Sequence, residues 1–371
     1  MKPQIIAYYL PQFYPFKEND EWWGRGFTEW TNVGKAKPLW KGHYQPRVPA
    51  DLGYYDLRIP EVREQQAELA REAGVTAFCY WHYWFGNGKR LLERVFDEVL
   101  ESGKPDFPFC LGWANHSWYA KTWDKDTKND KLLIEQTYPG IEDAREHFDY
   151  LLKAFKDPRY VKIEGKPIFL IFDPLKIPND YLKWFRNWAK EASFPDLYIL
   201  ANAYNIEEEE KFLKQGFDAV IDNRLSNPQH YETYMSFSPF KRRKYLLKKR
   251  LQKFFKRIPM NAVDYNFYYS NLDVNNIINN DVIPQLVPQW DHSPRSNVNV
   301  TFILYNSTPL YFYTITKKML EIVAKKPLEK QIVFVKSWNE WAEGNYMEPD
   351  LKYGTDYIKA LRKAIYDVYG E

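Results

Sequence analysis

The sequence predicts a single (β/α)₈ barrel of the TIM type, one α/β domain over residues 1–371. It should have a long first βα loop and an insertion between its sixth and seventh strands, at about 223–282. Three observations carry this prediction. Apolar, β-rich runs recur along the chain without the polar alternation of a half-exposed sheet, which marks strands buried on both faces. There are eight of them, alternating with helical patterns, in 371 residues, a length that suits this barrel. Polar and aromatic residues cluster directly after the runs, where a barrel's loops converge on one face.

In order, the runs are QIIAYYL (4–10), VTAFCYW (75–81), FPFCLGW (107–113), PIFLIFD (167–173), LYILANA (197–203), FDAVID (217–222), IPQLVPQW (283–290) and QIVFVKSW (331–338). Helical patterns cover 60–73, 141–156, 179–192 and 355–368. The first of these starts at Pro60 and stops before Gly74, a proline-first, glycine-last pattern that fits helix ends. The clusters that follow the strands include YYLPQFYP, WHYWFGNGK, WANHSWYAKTWD, NAYN, DNRLSN, QWDHSPRS and WNEWAEG. Large aromatics that merely plugged a barrel would not gather at one end of so many strands.

Composition narrows the function. Aromatics make up 18% of the chain, with 14 Trp and 29 Tyr, enough to supply stacking platforms for the C–H faces of sugars. The net charge of +3 argues against a nucleic-acid partner. Its distribution is uneven, however. KRRKYLLKKRLQKFFKR (241–257) holds ten basic and no acidic residues, so the rest of the chain is acidic by seven. Its apolar residues fall near helical spacing. The segment therefore reads either as a helix on an anionic membrane surface or as a solvated helix packed on the barrel. Cys79 and Cys110 sit in apolar runs and read as reduced core thiols, which suits a cytoplasmic protein. The N-terminal apolar stretch is too short and proline-broken for a signal peptide, and no run is long enough to span a membrane.

The chemistry concentrates in SWNEWAEGNYMEPD (337–350), which follows the eighth strand. Glu340 and Glu343 stand three apart, so a helical turn puts both on one face. Paired carboxylates push each other's pKa values apart, and one can stay protonated as an acid. An exposed acidic turn would not need the flanking Trp338 and Trp341.

This stretch resembles the signature of the WbsX-type proteins of bacterial surface-polysaccharide clusters, which are related to glycoside hydrolase family 99, the endo-α-mannosidases and endo-α-mannanases. YYLPQFYP, GFTEWTNV, FCYWHYWF, LGWANHSW and PQWDHSPR also look like WbsX-type blocks, in the family's order, over nearly the whole chain. The resemblance implies a (β/α)₈ barrel acting on a mannose-like glycosidic bond with retention. It implies that Glu340 deprotonates the sugar 2-hydroxyl, giving a 1,2-anhydro intermediate, and that Glu343 acts as general acid and then base. Glu348 and Pro349 complete the WbsX form of the block. IFDP at 171–174 departs from the family pattern, which has an aromatic where this chain has Phe172–Asp173.

Further substrate-binding candidates follow from placement after the strands: Tyr8, Tyr9, Asn115, Asn202, Asn339 and Glu348, with Trp81, Trp84, Trp113, Trp118, Trp290, Trp338 and Trp341 as stacking platforms. His82 and His116 fit sugar-hydroxyl contacts and equally fit satisfied structural histidines. Asp291, followed by His292, is read as a sugar contact. Glu29 and Trp30 in the first loop are lid candidates, with surface or packing roles as the alternative. Asp124 and Asp126 form a D-x-D in a lysine-rich loop, better read as solvated than as a metal–nucleotide site. No strand is followed by G-x-G-x-x-G, and there is no H-E-x-x-H or C-x-x-C, so no cofactor and no metal are expected.

The expected function is glycosyl transfer in O-antigen or capsule biosynthesis on a glycan, with a lipid-linked oligosaccharide as the candidate form. The alternatives are an endo-acting hydrolase or transglycosylase, and a non-catalytic glycan-binding barrel.

Overall fold

The structure is a computed structural model that describes residues 3–120, 131–224, 239–256, 258–259, 261–296 and 302–370. At its centre are β1 (Gln4–Tyr9), β2 (Ala77–Trp84), β3 (Phe109–Trp113), β4 (Lys166–Ile171), β5 (Tyr198–Ala203), β6 (Ala219–Asp222), β7 (Val282–Leu286) and β8 (Ile332–Val335). Each pairs in parallel with its successor, and β8 returns to β1 through the register Gln4↔Ile332 to Ala7↔Val335. The sheet is therefore closed. Of all these strand residues only Gln4 and Lys166 are not buried, which is why the runs read as continuously apolar.

The helices are α1 (Lys17–Trp23), α2 (Glu29–Lys35), α3 (Pro60–Ala73), α4 (Glu93–Ser102), α5 (Ile141–Lys156), α6 (Asn179–Glu191), α7 (Ile206–Lys214), α8 (Pro239–Lys256), α9 (Tyr265–Ser270), α10 (Ser293–Ser296), α11 (Pro309–Val323) and α12 (Asp356–Tyr369). Helix α3 begins at Pro60 and ends on left-handed Gly74, φ 85°, burying Ala67, Ala70 and Ala73. A Cβ on Gly74 would lie 2.7 Å from Ile365 of α12, so this glycine also sets how closely the two helices pack.

Three features place the site. The first loop carries α1 and α2, and the β6–β7 connection carries α8 and α9. The run expected as one strand over 283–290 divides. Val282–Leu286 stays in the barrel, while Trp290–Asp291 joins Ile303–Tyr305 and Ala262–Asp264 in a separate small sheet. Pro288, which has no N–H to donate, lies at the break. The D-x-D at Asp124 and Asp126 falls outside the described residues.

Candidate active site

The stretch 337–350 folds into a tight device at the mouth of β8. Ser337 Oγ accepts from the Asn339 and Glu340 N–H groups at 3.2 and 3.1 Å, turning the chain sharply. Asn339 then ties this turn to the first loop, accepting from Leu10 N–H at 2.7 Å and donating to Leu10 O at 3.0 Å. Asn339–Glu340 pairs antiparallel with Asn345–Tyr346, and a short 3₁₀ turn, Trp341–Glu343, joins the two. Side chains three apart eclipse in a 3₁₀ turn, so Glu340 and Glu343 point the same way, close enough to share a proton.

Gly344 makes this turn possible. Its φ is +55°, and a Cβ there would meet Asp291 Cβ at 2.8 Å and Arg47 Cζ at 3.0 Å. We expect Gly344→Ala to lose about 1–3 kcal/mol of stability from the strained backbone alone and to impair turnover by displacing Glu343. Urea unfolding and initial rates check this, and an unchanged variant would refute the role of the turn.

Trp338 and Trp341 are not walls of the site. They are 0% and 1% exposed. Trp338 packs on Phe78, and Trp341 stacks on Tyr346 at 3.8 Å between ring centroids. Glu348 lies in the same buried layer. It accepts from Trp341 Nε1 at 2.6 Å, Gln66 Nε2 at 2.6 Å and Tyr55 O–H at 2.9 Å. Burial raises its pKa to about 7 against the pull of these donors. These residues support the turn that carries Glu340 and Glu343 from beneath.

Glu340 and Glu343 face a cavity of about 310 Å³ whose aromatic walls are Trp81, Tyr83, Trp118, Phe172, Tyr204 and Trp290. Trp81 Nε1 donates to Glu340 at 3.3 Å, and its ring stacks on Tyr8 at 4.6 Å. Tyr8 O–H in turn donates to Asn202 at 3.4 Å. Gly112 on β3 leaves room for Trp81, since a Cβ there would sit 3.1 Å from its ring. Lys336 lies 5.0 Å over the Trp290 ring. A second cleft of about 480 Å³ shares Gln12, His116, Trp118 and Arg295 with the first and runs outward past α1 and α2.

Strand alternation sorts the remaining candidates. On β2, Trp81 and Tyr83 face the cavity, while His82 and Trp84 face α5. His82 Nε2 sits 2.8 Å from His147 Nε2, and Trp84 stacks on His147 at 4.7 Å. Trp113 joins them from β3, with its ring 4.6 Å from His147. Burial pushes the His82 pKa down to about 3, so the pair is neutral and structural. Tyr9 likewise faces away from the cavity, donating to Gln66 at 2.7 Å.

Asn115, 0% exposed, joins the third loop to the fourth by accepting from Asp173 N–H at 2.7 Å. Asp291 is 1% exposed and is held by His43 and Gln45 of the first loop at 2.8 and 2.6 Å. It clamps loops together and makes no wall of the cavity. His116 does line the cavity, with burial driving its pKa down to about 4. Glu29 is not an exposed lid residue. It is 3% exposed and paired with Arg295, and Trp30 packs against Phe13, Tyr55 and Trp341.

The group that sequence reasoning missed is Arg295, on α10. It reaches Glu29 at 3.2 Å, Glu340 at 3.8 Å and Glu343 at 2.5 Å. One cation among three carboxylates cannot neutralise all of them. Burial and the neighbouring Glu343 charge lift Glu340 to about 8. Burial also opposes ionisation of Glu343, but Arg295, His292 and Lys336 outweigh it and hold Glu343 down at about 2. At neutral pH the two coupled carboxyls are thus poised to hold one proton between them. The position of Arg295 in PQWDHSPR, just after a strand, was the available signal. Tyr83 could have been found by extending the alternation from Trp81.

A family model described as Glycosyltransferase WbsX matches residues 5–361. An uncharacterized protein WxcX of Xanthomonas campestris pv. campestris is 33% identical over 367 residues, covering 97% of this chain and 49% of the relative. The chain thus spans about half the length of the curated relatives it matches. Among solved structures, the GH99 endo-alpha-mannosidase from Bacteroides thetaiotaomicron is similar with a TM-score of 0.57 at 15% identity, covering 99% of this chain and 98% of that one. A glycoside hydrolase-like protein has a TM-score of 0.57 at 14% identity, covering 98% and 94%. At such identities the likeness is one of fold.

Proposed function

The chain belongs to the WbsX glycosyltransferase family, and from that premise we propose that it makes or breaks a glycosidic bond to a mannose-like sugar with retention, as a glycosyltransferase of surface-polysaccharide biosynthesis acting on a glycan carried by a lipid. The observation that carries the reading is the Glu340–Glu343 pair, bridged by Arg295 at 3.8 and 2.5 Å and facing an aromatic cavity. Two carboxyls in proton-sharing contact leave no room between them for the water of an inverting enzyme, which needs about 6.5–9.5 Å.

In the free protein the coupled pair shares one proton. A sugar 2-hydroxyl donating to Glu340 favours its ionised form, and a glycosidic oxygen beside Glu343 favours a protonated partner. Substrate binding therefore moves the proton across one hydrogen bond. Glu340 can then accept the hydroxyl proton while Glu343 delivers its own to the leaving oxygen. Arg295 stays beside both groups and offsets the charge they exchange.

The one-proton state exists between about pH 2 and about pH 8. We expect kcat/KM of the free enzyme to hold through neutrality and to fall as pH rises through about 8, where Glu340 loses its proton. Full activity well above that value would refute the dyad.

The closed barrel keeps an endo-hydrolase or transglycosylase as the second reading, since it lacks the glycine-rich strand-to-helix turn of nucleotide sites. Mass spectrometry of lipid-linked glycan incubated with the protein, with and without sugar nucleotides, separates the two. Product gain that requires the nucleotide sugar supports the transferase. Loss or rearrangement of sugars without it supports the second reading, and no change under any condition leaves a glycan-binding barrel.

A further inference from the structure

We propose that helix α8 lays the protein on an anionic lipid bilayer, with its apolar crest in the interface and its flanking basic residues on the headgroups. This inference does not depend on the catalytic reading. Among the described residues no helix is long and apolar enough to cross a membrane, so the contact is peripheral.

The side chains Phe240, Leu247, Leu251, Phe254 and Phe255 are 77%, 59%, 48%, 80% and 74% exposed. With 3.6 residues per turn they fall within about 100° of one helix face, a single stripe and not a scatter. Lone exposed apolar residues need no explanation, but a contiguous ridge of three phenylalanines and two leucines does.

The opposite face is already occupied. Tyr245, 8% exposed, stacks on Phe267 of α9 at 4.7 Å, and Gln252 donates to Tyr305 O–H at 3.2 Å. The helix is thus seated on the protein with its apolar ridge held outward. Arg243 and Arg250 lie on one flank of the ridge and Lys248 on the other, Lys244 falls between Leu251 and Phe255, and 239–256 contains no acidic residue.

Charge decides between occupants. A second copy of this chain meeting the ridge symmetrically would set two strongly basic helices together without counter-charges. An anionic bilayer supplies both what the crest needs and what the flanks need. Nucleic acid would match the flanks but would leave the crest in water. The docked helix also lies on the catalytic side of the molecule, because its seat includes Tyr305, which meets Trp40 of the first loop edge-on at 6.3 Å.

The test is flotation of the full chain with phosphatidylcholine vesicles, with and without phosphatidylglycerol. We expect binding only to the anionic vesicles, weakening as salt shortens the screening length below about 10 Å. Reversing Arg243 and Lys244 to Glu should lower the partition coefficient on the order of fivefold or more for each residue. Phe254→Ser with Phe255→Ser should lower it with the charge intact. All four side chains are solvent-facing, so the thermal midpoint should not move. Equal binding to neutral vesicles, no binding, or variants that bind like the wild type would overturn the proposal. So would a dimer that the phenylalanine variants dissociate without any vesicle binding, or retention on single-stranded RNA without it.

Discussion

Glu340→Gln and Glu343→Gln each lower turnover by roughly 10²–10⁴-fold, the range for loss of a positioned general acid or base. The double variant falls little further, because groups acting as one unit do not contribute additively. Rates on the lipid-linked glycan measure both. The two single variants are separable by leaving group. A substrate whose leaving group needs no proton should restore much of the Glu343→Gln rate and little of the Glu340→Gln rate. The opposite pattern would assign the acid to Glu340. Retention of turnover in both variants would remove the pair from the chemistry.

Arg295→Met is the second large effect, with an expected loss of about 3–5 kcal/mol, the usual cost of stripping a buried charge cluster of its partner. Glu29, Glu340 and Glu343 would then face one another without a shared cation. The effect carries a pH signature. In the wild type, Glu343 is held at about 2, below its unfolded value, so Arg295 contributes stability above that unfolded value and loses it as pH falls toward 2. The gap between wild type and variant should be widest near neutrality and close on acidification. Adding Glu29→Gln should recover part of the loss. Arg295→Lys should recover less than full stability, since one ammonium cannot reproduce the guanidinium's contacts with three carboxylates. Chemical unfolding across pH reads all four proteins, and a pH-independent gap would show that Arg295 acts through packing alone.

The barrel was legible because its strands are buried on both faces, so each appears as an unbroken apolar run whatever its partner. Helix α3 was legible to the residue, because Pro60 and Gly74 act locally, through a missing N–H and a left-handed φ. The division of 283–290 was not, since Val282–Leu286 and Trp290–Asp291 are equally apolar and differ only in which sheet they join. Among the site candidates, Trp81, Trp118, Trp290 and His116 line the cavity with the two glutamates, and Tyr8 and Asn202 lie behind Trp81. His82, Trp84, Trp113, Tyr9, Trp338, Trp341, Asp291 and Glu348 stand in the layers that hold it in place. A tryptophan after a strand reads the same whether it faces a sugar or the protein.

Residue type and spacing alone thus pointed to the barrel and to the carboxylate pair after its last strand, whereas the need for Gly344 was not legible, because the side chains that a Cβ there would meet, Asp291 and Arg47, are distant in the chain. The charge environment of the carboxyl pair rests on contacts that cross the whole sequence. Arg295 meets Glu29 across 266 positions and Glu343 across 48. Electrostatic energy depends on distance in space and on exclusion of water, and neither can be read from separation along a chain.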